Sequence, residues 1–291
     1  MLPTTSSSSW AAFTHRPSPL LGECQLTFID RQPIDIDRAF AQHAAYCASL
    51  QAAGIQVQVL ETSPDLPDSA FVEDCAVMLD ELAVLTRPGS PARQPEVERL
   101  APVIAQVRPI VRMGSPATLD GGDVLQIGKN LYVGVSTRTN PAGIAALVQA
   151  VQPHGCRVIP VPVHGSLHLK TALTALDDET LLANPGWIDL TRFEALRILS
   201  VPRVEPWGAN VLRIGEHLCG TAVAGSDVGL SHEPAQVTGL VDLRHHPAQL
   251  PGLDALLRGL RKELRQARGP LEARGAPGGD QAGGPGPVRP Q

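Results

Sequence analysis

The sequence contains no apolar run close to the roughly 18 residues that a membrane-spanning helix needs, and neither sign of charge dominates it. Lys and Arg number 24 against 29 Asp and Glu, a net charge of −5. No basic field therefore draws the chain to nucleic acid or to an anionic lipid surface. The first ten residues, ending in Ser6-Ser7-Ser8-Ser9-Trp10, carry neither a basic nor an apolar stretch, so no secretory signal is read there. Cysteine is scarce: Cys24, Cys47, Cys75, Cys156 and Cys219 are odd in number, scattered and never in a CxxC spacing. That pattern suits a reducing cytoplasm better than a disulfide framework and gives no sign of a zinc site. The expectation is a cytoplasmic protein with no membrane or nucleic-acid partner and no metal.

A second shortage is local. The 73 residues from Cys219 to Gln291 contain no Phe, Trp, Tyr or Ile, while they hold 13 Gly and 8 Pro. Gly plus Pro rises from about 15% before Cys219 to about 29% after it, near the range of disordered segments. Leu253, Leu256, Leu257, Leu260 and Leu264 share one face of a predicted helix over Leu253–Ala267. Beyond Gly269 the composition predicts a disordered tail. A shift of reading frame in GC-rich DNA accounts for the change of composition, as does a diverged tail; we favour the first.

What is present is a repeated unit: two short β-rich runs around a polar turn, an amphipathic helix, then a third β run. Ala76–Leu79 and Leu82–Thr86 flank Asp80-Glu81, followed by helical Pro95–Gln106 and strand Pro109–Arg112. Val124–Ile127 and Leu131–Val135 precede helical Ala142–Val151 and strand Arg157–Val161. Ala172–Leu176 and Thr180–Ala183 precede a brief helical piece and Leu196–Val201. Val211–Ile214 and His217-Leu218 open a further unit, and helical Asp35–Ala53 with strand Ile55–Leu60 forms half of a first one. The turns at Asp80, Lys129, Asp178 and Glu216 lie 49, 49 and 38 residues apart, a spacing that predicts repeated supersecondary units arranged as a closed ring. A doubly wound sheet is the alternative, but it lacks the hairpin in each unit. The domain reading is a short disordered start over 1–12, the repeated fold over 13–268 with 219–268 divergent, and the tail over 269–291.

Chemistry concentrates at the entrances to these hairpins. Asp68-Ser69-Ala70-Phe71-Val72-Glu73-Asp74 sets three carboxylates among apolar residues just before a buried hairpin. Such groups need partners, and a guanidinium matches a carboxylate with two parallel donors. Taken alone, the same loop fits turn bonds and caps. Arg87 and Arg138 stand at the ends of two successive hairpins, where cationic forks can hold a ligand carboxylate or simply cap a strand end. Asp120-Gly121-Gly122-Asp123 places a carboxylate beside paired glycines, which permit close backbone approach. His168 lies between leucines at the next hairpin entrance and has the ordinary pKa of an acid/base group.

Phe71-Val72-Glu73-Asp74, Leu119-Asp120-Gly121-Gly122-Asp123-Val124-Leu125, Gly134-Val135-Ser136-Thr137-Arg138-Thr139-Asn140 and Leu167-His168-Leu169-Lys170-Thr171 resemble, in the same order, motifs of the dimethylarginine dimethylaminohydrolases. The resemblance covers roughly residues 13–218. It implies the five-bladed α/β-propeller of the guanidine-modifying superfamily, here with an incomplete or altered fifth unit, and hydrolysis of methylated arginine to citrulline and a methylamine without a cofactor. By the same resemblance Asp68, Phe71, Glu73 and Asp74 contact the substrate, Arg87 and Arg138 hold its carboxylate, and Asp120 holds the guanidinium. His168 is the general acid/base, and Leu26 belongs to a lid. In that family a cysteine near the C-terminus attacks the guanidinium carbon, and the histidine protonates the departing amine. Here the last cysteine is Cys219, too early for that place, and residues 220–291 hold no thiol. Ser226 and Ser231 are too weakly acidic to replace it. An arginine deiminase-like hydrolase and a guanidinium-binding protein without turnover therefore stand beside the hydrolase reading, and a homodimer is one option for assembly.

Overall fold

The computed structural model describes residues 11–203, 206–214, 217–220 and 239–241. They form a mixed α/β fold built from five small sheets. The first pairs β1 (Ala11–His15) with β2 (Gln56–Leu60) in parallel, across the helix α1 (Ile36–Ala52). The second contains β3 (Ala76–Met78), β4 (Ala83–Leu85) and, after α2 (Gln94–Ile104), β5 (Ile110–Arg112). The third contains β6 (Val124–Ile127), β7 (Asn130–Val135) and, after α3 (Pro141–Val151), β8 (Arg157–Pro162). A single turn, α4 (Leu169–Ala172), leads into the fourth: β9 (Leu173–Ala175), β10 (Thr180–Ala183) and β11 (Arg197–Ser200). The fifth is β12 (Val211–Ile214), β13 (His217–Gly220) and β14 (Gly239–Val241).

In the three middle sheets the second strand lies at the centre, antiparallel to the first and parallel to the third. A hairpin suffices for the first pairing; the second needs a crossover, which α2, α3 and the 3-10 turn Leu190–Phe193 supply. A central strand covered on both faces carries a continuous apolar run rather than alternation. Ala83, Val84 and Leu85 in β4 are fully buried, as are Leu131 and Val133 in β7. These runs, bounded by polar turns, are why the sequence places the strands within a residue or two.

Helix limits follow equally local causes. Asp35 caps α1 by accepting the Arg38 N–H at 3.0 Å. Asn140 caps α3, accepting from Gly143 N at 2.7 Å, with Pro141 preset for the first turn. Asn140 Oδ1 also accepts from Thr118 N at 3.1 Å, so the cap ties α3 to the segment that carries Asp120. Gly54, at φ 84°, ends α1 in the left-handed region that favours glycine.

Two strands depart from the sequence reading. β1 begins at Ala11, inside the segment expected to be disordered; Ala11–His15 shows no useful alternation, and its parallel partner lies some 45 residues on. β14 pairs with β13, where no strand was anticipated, because Gly239–Val241 is three residues long in a Gly- and Pro-rich stretch. The predicted helix Leu253–Ala267 and the tail from 269 lie outside the described residues. No helix among the described residues is long and apolar enough to cross a membrane.

Successive sheets share apolar clusters. Leu60 and Phe13 pack with Ala83 and Leu85, Val77 and Val84 with Val124 and Val133, and Leu125 and Tyr132 with Leu173 and Leu181. The Thr174 hydroxyl donates to Val211 O at 2.9 Å, and Leu212 packs against Leu50, Ile55 and Ala12 of the first unit. Leu131→Ala, at a fully buried position of β7, removes packing that no neighbour can refill. It should lower unfolding free energy by roughly 2–5 kcal/mol in a urea titration, whereas Leu20→Ala at an exposed position should change it by less than about 0.5 kcal/mol.

Candidate active site

The entrances to β3, β6 and β9 bring Asp74, Asp120 and His168 together. All three are buried. Their convergence depends on the paired glycines after Asp120. A Cβ on Gly122 would stand 2.7 Å from Asp74 Oδ1 and 2.9 Å from the His168 ring. Gly121 lies so close to the Glu73 carbonyl that no side chain fits there either. The motif legible in the sequence is thus a steric requirement for bringing three sheets together.

His168 Nε2 lies 3.7 Å from Asp74 Oδ1 and 3.8 Å from Asp120 Oδ2. Its Nδ1 lies 3.5 Å from Asp123 Oδ2. Burial opposes the imidazolium, but Asp74, then Asp123 and Asp120, outweigh it and push the His168 pKa up to about 9. Burial also favours a neutral Asp74, yet His168 and Arg93 draw that carboxyl down to about 2. Asp120 goes the other way: burial and the neighbouring Asp74 raise it to about 6, against the pull of His168. Asp120 Oδ1 accepts from Gly89 N at 2.7 Å. Its Oδ2 is buried without a hydrogen-bond partner among the described residues, a state that a donor-rich ligand would relieve.

The acidic loop is held from behind by Arg93, which the sequence reading did not single out. Arg93 bonds Asp74 Oδ2 at 2.5 Å, Glu96 Oε2 at 2.8 Å and the Phe71 carbonyl at 3.1 Å. It is 3% exposed. In Ser90-Pro91-Ala92-Arg93-Gln94-Pro95-Glu96 it reads as the start of a surface helix; only Glu96 three residues on hinted at a pair. Asp123 closes the Asp120-Gly121-Gly122-Asp123 motif, and nothing in the sequence alone marks a role for it. Its Oδ2 accepts from Ser136 Oγ and Thr139 Oγ1, each at 2.6 Å, and its Oδ1 from Leu169 N at 2.9 Å.

The other expected residues sit at different distances from this centre. Asp68 is buried, with both carboxylate oxygens 3.1 Å from Gln25 N; burial raises its pKa against the pull of Arg93. Phe71 and Leu26 pack in one apolar cluster around Leu21 and Cys24. Arg138 is buried, donates to Thr27 Oγ1 at 3.0 Å and has NH1 3.9 Å from Asp120 Oδ2. Glu73 lies at the surface and pairs with Lys170 at 2.5 Å. Arg87 directs its guanidinium to the Ala117 carbonyl at 3.3 Å and has no hydrogen bond or ion pair to the buried acids.

Asp74, Asp120 and His168 also bring three donor atoms within 4.8 Å of one another, the span of a cation site. The set fits a metal poorly, since Asp74 already faces the Arg93 guanidinium and the raised His168 pKa favours an imidazolium that cannot ligate. It suits a planar organic cation placed between a proton donor and an acceptor. Arg93→Met would leave Asp74 and Glu96 buried without their counter-charge. Chemical denaturation should then show a loss of about 3–5 kcal/mol, and Arg93→Lys should recover only part of it because the fork geometry is lost.

The arginine deiminase family profile matches residues 61–203. A dimethylarginine dimethylaminohydrolase of Streptomyces coelicolor is 42% identical over 207 residues, 70% of this chain and 78% of that protein. The protein of the same name from Pseudomonas aeruginosa is 31% identical over 186 residues, 63% of this chain and 73% of that one. Among solved structures, a Cys-to-Ser mutant of the Pseudomonas aeruginosa enzyme complexed with citrulline superimposes with a TM-score of 0.68 at 29% identity, covering 72% of this chain and 83% of that one. With a buried acid–histidine cluster at the sites of the shared motifs and identity of this extent, the chain belongs to the dimethylarginine dimethylaminohydrolase family.

Proposed function

We propose that this protein binds N-methylated arginines at the Asp74–Asp120–His168 cluster and acts in their hydrolysis to citrulline and a methylamine. The observation that carries the reading is the buried, unpartnered Asp120 Oδ2, which faces His168 Nε2 beside Asp74. A guanidinium placed there supplies the donors that Asp120 Oδ2 lacks. Asp68 and Arg138 flank the cluster as candidates for the amine and carboxylate ends of the amino acid, and the loop carrying Leu26 and Thr27 reaches Arg138 from outside. A protonated His168 can give its Nε2 proton to the departing amine and then take one from water. The five sheets, joined by apolar clusters from the first to the fourth and from the fifth to the first, and by a hydrogen bond from the fourth to the fifth, support the five-bladed propeller reading.

The attacking group is the open part of this chemistry. Cys75, adjacent to Asp74, points to Glu96 Oε2 at 3.7 Å, and burial raises its pKa well above the ordinary thiol value. Cys47 faces Thr14 and His43, Cys156 packs with Leu147, and Cys24 with Leu21. No cysteine occurs from 220 to 291. That absence favours a second reading, a guanidinium-binding protein that does not turn its ligand over. Calorimetry with asymmetric dimethylarginine should show binding under both readings. A colorimetric citrulline assay on the same preparation separates them: sustained product formation supports the hydrolase, and none supports the binder. Ammonia released from arginine in preference to dimethylamine from dimethylarginine would place the activity with arginine deiminases instead. No binding of either compound would sink both readings.

Affinity should depend on pH through Asp120. A cationic ligand prefers the ionised carboxylate, so a proton must leave Asp120 before the ligand can enter at pH below its pKa of about 6. Binding should therefore strengthen from about pH 5 to about pH 7, by up to roughly tenfold per pH unit at the acid end. Asp120→Asn should bind weakly and lose that slope; an unchanged slope would remove Asp120 from the ligand's contacts.

A further inference from the structure

Both oxygens of Asp123 are engaged by hydrogen bonds, yet this carboxylate does not face the place assigned to the guanidinium. It lies on the other side of the His168 ring, 3.5 Å from Nδ1, while Nε2 points to Asp74 and Asp120. Nδ1 is buried and, among the described residues, has no hydrogen-bond partner nearer than this carboxylate. The donors on Asp123 come from three directions. Leu169 N–H follows His168 directly in the chain, and Ser136 and Thr139 belong to the loop that carries Arg138. These hydroxyls reach further. Ser136 Oγ accepts from the Arg138 and Thr139 amides at 3.0 and 3.2 Å, and Thr139 Oγ1 accepts from Asp120 N at 3.3 Å. One side chain therefore joins the backbone of His168's own segment, the Arg138 loop and the Asp120 strand entrance. Gly134 leaves room for it, since a Cβ there would stand 2.5 Å from Asp123 Oδ1.

We propose that Asp123 is the positioning residue of His168: it receives the Nδ1–H of the imidazole, so that Nε2 is the nitrogen that exchanges a proton with the ligand. The assignment rests on His168 as the acid/base group of the guanidinium site, but its physical content does not depend on turnover. An imidazole has two nitrogens, and the hydrogen bond at one fixes the tautomer available at the other. With an acceptor at Nδ1, the neutral ring carries its proton there and presents a lone pair at Nε2. The facing charges are Asp74, Asp120 and Asp123, with Arg93 behind Asp74 and Arg138 beside Asp120.

Asp123→Asn gives a tautomer test. The Leu169 N–H is a fixed donor and requires an oxygen opposite it, whereas the Thr139 hydroxyl, which accepts only from Asp120 N, can rotate to accept once more. The carboxamide NH2 is thereby driven to the Oδ2 side, where it donates to Nδ1 and forces the proton of the neutral ring to Nε2. Full-length protein labelled with 15N-histidine reports this directly by NMR. The native chain should show His168 neutral with Nδ1 protonated at high pH. Asp123→Asn should show the Nε2-protonated form and a titration midpoint lower by about one pH unit or more, since one facing negative charge is gone. Retention of the Nδ1-protonated form in a folded Asp123→Asn would overturn the proposal.

If that variant does not fold, Ser136→Ala decides. It removes one donor from Asp123, leaves the carboxylate less satisfied, and should move the His168 midpoint upward with the tautomer unchanged; a midpoint that stays put overturns the proposal. Because the titration requires neither ligand nor activity, it stands apart from the functional reading. Expected spectra with no dimethylarginine binding would sink the function and keep the positioning role. Binding with the wrong tautomer would do the reverse.

Discussion

A single buried guanidinium governs the arrangement of the acidic loop. Three acidic side chains, Asp68, Asp74 and Glu96, lie in the interior around Arg93, and none could stay charged there without compensation. Arg93 meets Asp74 and Glu96 through its nitrogens and takes the Phe71 carbonyl as well. It thereby fixes Asp74 Oδ2 and leaves Oδ1 for the Gly122 amide, 2.9 Å away, and for the side of His168. The aromatic ring of Phe71 lies 5.8 Å from the same guanidinium, so the apolar cluster under Leu26 is joined to the charged one. Without that cation the burial of Asp74 would favour its neutral acid, and the imidazolium opposite would lose its strongest electrostatic support.

The repeated unit supplies the other half of the design. Asp74, Asp120 and His168 each belong to a short helical turn, or the residue that caps it, leading into the first strand of a sheet. Similar architecture therefore delivers different side chains to one point: an acid held low in pKa, an acid raised in pKa and a base raised in pKa. Burial opposes the charge on both acids, and His168 opposes burial at both; Asp74 has the Arg93 guanidinium in direct contact as well, whereas Asp120 has no such contact and meets the negative charge of Asp74.

Much of this was legible in the sequence for definite reasons. Central strands such as Leu131–Val135 are short apolar runs between polar turns, and caps such as Asp35 and Asn140 leave local signatures. The Gly121-Gly122 pair and the acids around it could be recognised by residue type. What could not be read is long-range. β1 acquires its identity from a partner far along the chain, and Arg93 acquires its burial from the loop that folds over it. Arg87 and Arg93 are both arginines near a strand or helix end, and only packing directs one to the Ala117 carbonyl and the other into the acidic cluster. Asp123 was visible as part of a motif, but the fact that it stands behind His168 rather than beside the ligand is a property of three dimensions.

The convergence of three sheets on one point has a consequence for the folding equilibrium. Asp74, Asp120 and His168 come from strand entrances whose apolar contacts run between neighbouring sheets, and no two of them share a hairpin. A small cation seated among them acts as a non-covalent staple across independently connected pieces of the chain. Since it has affinity only for the assembled set, its binding free energy adds directly to the stability of the whole fold. Under the proposed function the ligand would in that sense be a structural component of the protein, and its concentration would set part of the fold's resistance to unfolding.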